Sequence, residues 1–230
     1  MSKKKILAYS LASALLIIVV SVFWSYKNKI VPPKKPKQSS EVISNSQPQN
    51  YADNPELVGP RGNVPDGAPK DNGFDNFAIP VPGILSRSGQ PSLEDFKWLK
   101  QNGWKSVVDF REDGEKSNQY ALDSKLPGFN DLGLNFLSLP VKDGTAPSIE
   151  QADQFLKFVT DPKNQPAHVH CAAGTGRTGV AVALYRYSVQ GWPMDKAIAE
   201  KEIKFGSGNK VQRSWLLKWA ENNSPGSYAK

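Results

Sequence analysis

The chain has 230 residues, 39% hydrophobic and 22% charged, with a formal net charge of +7 and a pI near 9.3. A single cysteine excludes an internal disulfide and a resolving thiol, and leaves the redox compartment unread. The first 40 residues hold eight lysines and no acids, leaving 21 basic against 22 acidic residues in the rest; the basic excess therefore argues against nucleic acid as a partner and favours anionic headgroups near a membrane.

In chain order, Ile6 to Trp24 is an uncharged, mostly apolar run. As a helix it would extend about 28 Å, enough for a bilayer core. Trp24 and Tyr26 suit an interfacial belt. A cleavable signal peptide is the alternative, but residues 22–26 offer no small-x-small cleavage site. Lysines flank both ends, so charge does not set orientation. A short amino-terminal tail favours a catalytic part outside the cytoplasm. Residues 1–30 are thus expected to form a tail and membrane anchor. Residues 31–72, rich in Pro, Ser, Asn and Gln, read as a tether, and 73–230 as one domain.

Within the domain, apolar patterning predicts strands at Gly83–Ser86, Lys105–Phe110, Leu134–Leu139 and Ala167–His170. Helices are predicted at Ser92–Asn102, Glu115–Lys125, Ser148–Thr160, Thr178–Gln190, Pro193–Phe205 and Asn209–Glu221. Alternating strands and helices imply an α/β fold, a mostly parallel sheet flanked by helices. Trp215, Leu216 and Trp219 recur at helical spacing and read as core; His168 reads as structural.

The segment His170-Cys171-Ala172-Ala173-Gly174-Thr175-Gly176-Arg177-Thr178-Gly179 carries the chemistry. It reads as a strand end, a tight loop and a helix start. A cysteine there sits over unpaired helix N–H groups, which bind anions and favour a thiolate. Gly174 and Gly176 let the amides of residues 172–176 curl into an anion nest. Arg177 offers a planar fork matching two phosphate oxygens, and Thr178 a hydroxyl for the sulfur. The chemistry indicated is attack of Cys171 on a phosphate monoester. Gly174, Gly176 and Gly179 also match a dinucleotide fingerprint, but Gly191-Trp192-Pro193 and more helix follow where a second strand with an acid is required. The leaving group needs a proton. Asp143, in the loop between the third predicted strand and the helix capped by Ser148, is the candidate; a plain Asp-Gly turn is the alternative. Lys142 beside it reads as a solvated charge. Asp109, Glu112 and Asp113 are the reserve acids.

His-Cys-x5-Arg-Thr resembles the signature of the cysteine-dependent protein tyrosine phosphatase superfamily. The resemblance implies a phosphocysteine on Cys171, and phosphate gripped by Arg177 and the amides of Ala172, Ala173, Gly174, Thr175 and Gly176. It casts His170 and Thr178 as supports and Asp143 as acid, with no metal or cofactor. Upstream, Arg87-Ser88-Gly89-Gln90-Pro91 and Val107-Val108-Asp109-Phe110-Arg111-Glu112 are similar to the first half of atypical dual-specificity phosphatases, which implies Arg87 and Arg111 at the pocket border; a structural salt bridge at each is the equal alternative. Inositol-pyrophosphatases of that type carry basic residues in the phosphate loop, whereas Ala172, Ala173 and Thr175 are neutral. The expected substrates are phosphorylated proteins or small phosphoesters. An inositol-phosphate hydrolase resembling the cysteine phytases, which share a neutral glycine-containing loop, or a lipid-headgroup phosphatase is the enzyme alternative, and a binding-only pseudophosphatase the other.

Overall fold

The computed structural model describes residues 74–115 and 126–229. The proposed membrane span and tether, and all of the helix expected at 115–125 except Glu115, lie outside the described residues. Among the described residues, no helix is long and apolar enough to cross a membrane.

Five strands form one sheet: β1 (Ala78–Val81), β2 (Leu85–Ser88), β3 (Ser106–Asp109), β4 (Asn135–Ser138) and β5 (Ala167–His170), in the order β1-β2-β5-β3-β4. Only β1 runs antiparallel, pairing with β2 at the edge; the other pairings are parallel. The helices are α1 (Leu93–Gln101), α2 (Ile149–Thr160), α3 (Gly176–Ser188), α4 (Met194–Ala199) and α5 (Lys210–Asn222). The predicted α/β architecture is therefore observed. β5 matches its expected bounds, and β2 starts two residues later than expected. The helix expected to run through Phe205 widens into a π turn at Glu200–Lys204.

Side-chain alternation divides the core. Val108, Val169 and Cys171 face α2, α3 and α5, with Phe155, Leu156, Val180, Leu184, Leu216 and Trp219. Phe74, Phe77, Phe96, Leu99, Val107 and Phe129 fill the opposite side. Full burial of each such side chain is worth about 1.5–3 kcal/mol. α3 is buried from Arg177 to Ser188, as expected of a helix packed on all sides. Ser92 and Ser148 each close a capping box, with Asp95 and Gln151, which fixes where α1 and α2 begin. Leu216 and Trp219 are core as predicted, and Trp215 stacks on Trp219 at 5.6 Å.

His168 lies fully buried between two serines. Its Nδ1 is 2.8 Å from Ser86 Oγ, and its Nε2 is 2.8 Å from Ser88 Oγ. Trp104 Nε1 donates to Ser86 Oγ at 2.7 Å, and Ser88 Oγ donates to the Gly89 carbonyl. One orientation satisfies this whole chain: Ser86 donates to Nδ1, and Nε2–H donates to Ser88. The imidazole is then neutral. Burial, aided by the neighbouring His170, pushes its pKa well below the ordinary 6.5. The unfolded chain takes up a proton below about pH 6.5 that the folded chain refuses. Stability contributed by His168 is thus complete above pH 6.5 and is lost as pH falls toward the depressed folded value. Urea unfolding between pH 7.5 and 5 should show a fall approaching about 1.4 kcal/mol per pH unit from this group. His168→Gln should lower stability at pH 7.5 and remove that part of the slope; an unchanged slope would contradict the assignment.

Candidate active site

The loop from Cys171 to Arg177 joins the carboxyl end of β5 to the start of α3, at the centre of the parallel strands. This is where open α/β sheets bind ligands. Cys171 is buried. Thr175, at the cap position of α3, makes no side-chain capping bond. The first amides of the helix are thereby left for an anion, because the N–H groups of a helix's first turn have no intrahelical acceptor. Gly174 has φ +71°, and a Cβ on it would collide with Gly89 N and the Ser88 carbonyl. Only glycine lets the loop lie this close to the end of β2. Gln90 N donates to Ala172 O at 2.9 Å, and Asn76 Nδ2 donates to Ala173 O at 2.9 Å, fixing the first half of the loop. Gly174→Ala should therefore cost about 1–3 kcal/mol of stability and abolish vanadate binding, read by urea unfolding and calorimetry. Retained binding would mean the amides are not the anion site.

Arg177 is held on several sides. Nη1 donates to Val141 O at 3.0 Å and Phe110 O at 3.3 Å, carbonyls at the ends of the segments following β4 and β3. Glu115 takes the outer edge of the fork, at 2.6 Å from Nη1 and 2.5 Å from Nη2. Nε is buried and without a hydrogen-bond partner. Burial disfavours the cation, but the hydrogen bonds to Glu115 and the charges of Cys171, Glu115 and Asp143 more than offset it and hold the pKa above its usual value. The group is a fixed cation with one edge tethered and a donor left over.

Asp143 Oδ1 is 3.4 Å from Arg177 Nη2, and its side chain is 80% exposed. The structure thus brings Cys171, Arg177 and Asp143 to one place. The acid-bearing loop is anchored from α5: Asn209 Nδ2 donates to Gly144 O at 3.0 Å, and Gln212 Nε2 to Thr145 O at 2.8 Å. Gln212 also packs against Gly176, so it links the two loops. His170 Nδ1 lies 3.4 Å from Cys171 O and 3.9 Å from Asp109 Oδ1, on the sheet face opposite the sulfur. That placement fits a support of the loop. Thr178 Oγ1 is buried and makes no hydrogen bond, so the expected bond to the sulfur is not formed here. Lys142 is exposed, as expected.

Of the two readings of the upstream arginines, the pocket border is not observed for Arg87, and the structural salt bridge is observed for Arg111. Arg87 is wholly buried beneath the Phe205 ring and does not line the pocket border. Arg111 pairs with Asp109, through Nε at 3.0 Å and Nη2 at 2.8 Å, and is buried. The sequence reading also missed Glu115 and Gln212. An acidic run at the carboxyl end of β3, the same end as the Cys171 loop, was the available signal for Glu115.

Residues 81–218, more than half the chain, match the family described as DSP-PTPase phosphatase fused to NAD+ kinase. The chain belongs to this phosphatase family. It is 36% identical over 141 residues to probable NAD kinase 2, chloroplastic, of Oryza sativa, covering 61% of this chain but 14% of the rice protein. It is 28% identical over 122 residues to the dual specificity protein phosphatase TpbA of Pseudomonas aeruginosa strain PAO1, covering 53% of this chain and 50% of that one. Among solved structures, Tk-PTP in its active form aligns with a TM-score of 0.51 at 28% identity, over 61% of this chain and 92% of that chain. The chain thus spans a small part of the rice protein and half of the bacterial one.

Proposed function

We propose that the domain hydrolyses phosphate monoesters through a phosphocysteine on Cys171, with phosphotyrosine or mixed-specificity phosphoprotein substrates. The observation that carries this is the placement of the Arg177 fork. Its outer edge is tied by Glu115, its Nε is unpartnered, and Cys171, the loop amides and Asp143 are gathered around it. A phosphoryl group bound there would accept from Nε and the loop amides. Cys171 sulfur would attack phosphorus while the ester oxygen leaves with the proton of Asp143. Water then attacks the phosphocysteine, gives its proton to the Asp143 carboxylate, and releases phosphate and the thiolate. The presence of all three groups speaks against a binding-only role.

An inositol-phosphate substrate is the second reading. It is supported by 27% identity over 149 residues to the inositol diphosphatase DSP3 of Arabidopsis thaliana. The neutral side chains at Ala172, Ala173 and Thr175 speak against a highly phosphorylated inositol pyrophosphate but are compatible with a cysteine-phytase-like substrate. Phosphate release from phosphotyrosine peptides, phosphoserine peptides, inositol phosphates and phospholipids decides. Fastest turnover of phosphotyrosine peptides is expected; exclusive turnover of inositol phosphates would replace the first reading by the second.

We further propose that Ile6 to Trp24 anchors the chain in a membrane, with the domain outside the cytoplasm. An apolar span does not depend on screened charge, so the protein should stay in the membrane fraction at 1 M salt, where the Debye length is about 3 Å. Release by salt would leave only a lysine-mediated surface contact. Protease added to intact cells should cut within residues 31–70; full protection would reverse the orientation.

A further inference from the structure

Among the described residues, the buried side-chain donors without a hydrogen-bond partner belong to three residues: Arg87, Arg177 and Thr178. Arg177 and Thr178 belong to the site above. Arg87 does not, and all three of its guanidinium nitrogens are unpartnered. Its side chain is 0% exposed, and its Cζ lies 3.6 Å from the centroid of the Phe205 ring. A buried cation without an acceptor is unfavourable unless an opposite charge faces it.

The strand register places one such group, Cys171, on the same face. Arg87 stands opposite Val169 in the parallel β2–β5 ladder, and Cys171 follows Val169 by two residues on the same face. The bond from Gln90 N to Ala172 O holds the two strand ends together. On that side of the sheet, Glu200 is already paired with Arg186, at 3.0 Å from Nε and 2.7 Å from Nη2. Glu202 is paired with Arg213 at 2.7 Å. Lys201, buried alongside, has the same sign as Arg87, and its Nζ donates to Ser207. Burial lowers the Arg87 guanidinium only to about 10, because the charges of Cys171 and, to a lesser degree, of the already paired Glu200 hold it up, so it stays charged at neutral pH.

We propose that Arg87 is a positioning residue for the nucleophile, a buried counter-charge that holds Cys171 as thiolate from behind the phosphate loop, with Phe205 sealing it from water. This inference rests on Cys171 being the nucleophile. The charged groups that act on the sulfur are Arg87 from β2 and Arg177 from α3; Glu115 and Asp143 face Arg177, Glu200 and Lys201 of the π turn face Arg87, and His170 and Asp109 lie on the other face. Arg87 acts through Coulomb attraction in a medium less polar than water and needs no contact with substrate. The aromatic ring adds a favourable face to the cation and keeps its field unscreened.

The chain's single cysteine makes the test direct, because every thiol adduct, located by peptide mass, reports Cys171. The full-length protein is treated with iodoacetamide at pH 6 and pH 9, and adduct formation is followed by mass. An ordinary thiol reacts roughly 200-fold more slowly at pH 6 than at pH 9, following its thiolate fraction. The wild-type chain should show a much smaller ratio. A ratio like that of an ordinary thiol would undo the nucleophile reading itself. Arg87→Met should slow the reaction about tenfold at pH 6 and leave it unchanged at pH 9, and Arg87→Lys should recover most of the loss. Equal rates for wild type and Arg87→Met at both pH values, with the wild-type ratio small, would overturn the role of Arg87 alone. If circular dichroism shows Arg87→Met unfolded, Phe205→Leu becomes the deciding variant. By admitting water to an intact guanidinium it should slow alkylation about threefold at pH 6 only. No change there would likewise overturn the inference.

Discussion

Cys171→Ser is expected to abolish phosphate release while the domain still folds and binds vanadate. The serine hydroxyl is isosteric with the thiol but far less ionised, so the attacking anion is lost. The binding groups remain: the amides at the start of α3 are free of a side-chain cap, and Arg177 is held by Glu115, Val141 O and Phe110 O whatever stands at position 171. Circular dichroism, calorimetry with vanadate and phosphate release measure fold, binding and turnover separately. Joint loss of fold and binding would make Cys171 a structural residue. Retained turnover would move the nucleophile elsewhere.

Asp143→Asn should cost about 10²–10⁴ in rate on a phosphotyrosine peptide, the range for a general acid. The loss should shrink on an aryl phosphate whose phenol is strongly acidic, because that leaving group departs without a proton. The basic limb of the pH–rate profile should flatten as well. Asp143 is exposed and 3.4 Å from Arg177 Nη2, so its loss leaves the core intact, and effects on the two substrates can be compared at equal stability. Equal losses on both substrates would make Asp143 a positioning partner of Arg177 and turn attention to Asp109, Glu112 or Asp113.

The parts of the fold that follow a strong period could be read before the structure was known. Ala167–His170 is a short buried strand bounded by Pro166 and the glycine loop, and it lies where expected. α1 and α2 begin at serines that cap them. β1 was missed because Pro80 sits inside it; proline is tolerated there because the strand is at the sheet edge, a fact that only pairing reveals. The π turn at Glu200–Lys204 was missed because one extra residue per turn leaves no mark in an amphipathic pattern. At the site, the linear motif exposed Cys171 and Arg177, and Asp143 followed from the need for a proton. Glu115, Gln212 and the buried state of Arg87 depend on long-range packing. Arg87 lies in a strand whose neighbours are set by crossovers, so a reading confined to Arg87-Ser88-Gly89-Gln90-Pro91 placed it at the pocket rim.

The contacts of residues 74–76 have a mechanical consequence. Asn76 holds Ala173 by its side chain, and the carbonyl of Asp75 accepts from Gly89 N, beneath Gly174. Tension on residues 74–76 would therefore reach the anion-binding loop directly through the Asn76 bond and indirectly through Gly89, while the rings of Phe74 and Phe77 pass it to His168 in β5. Fusions or partners that pull on this segment should change catalysis and core stability together, since the same few residues hold Ala173 and fill the core.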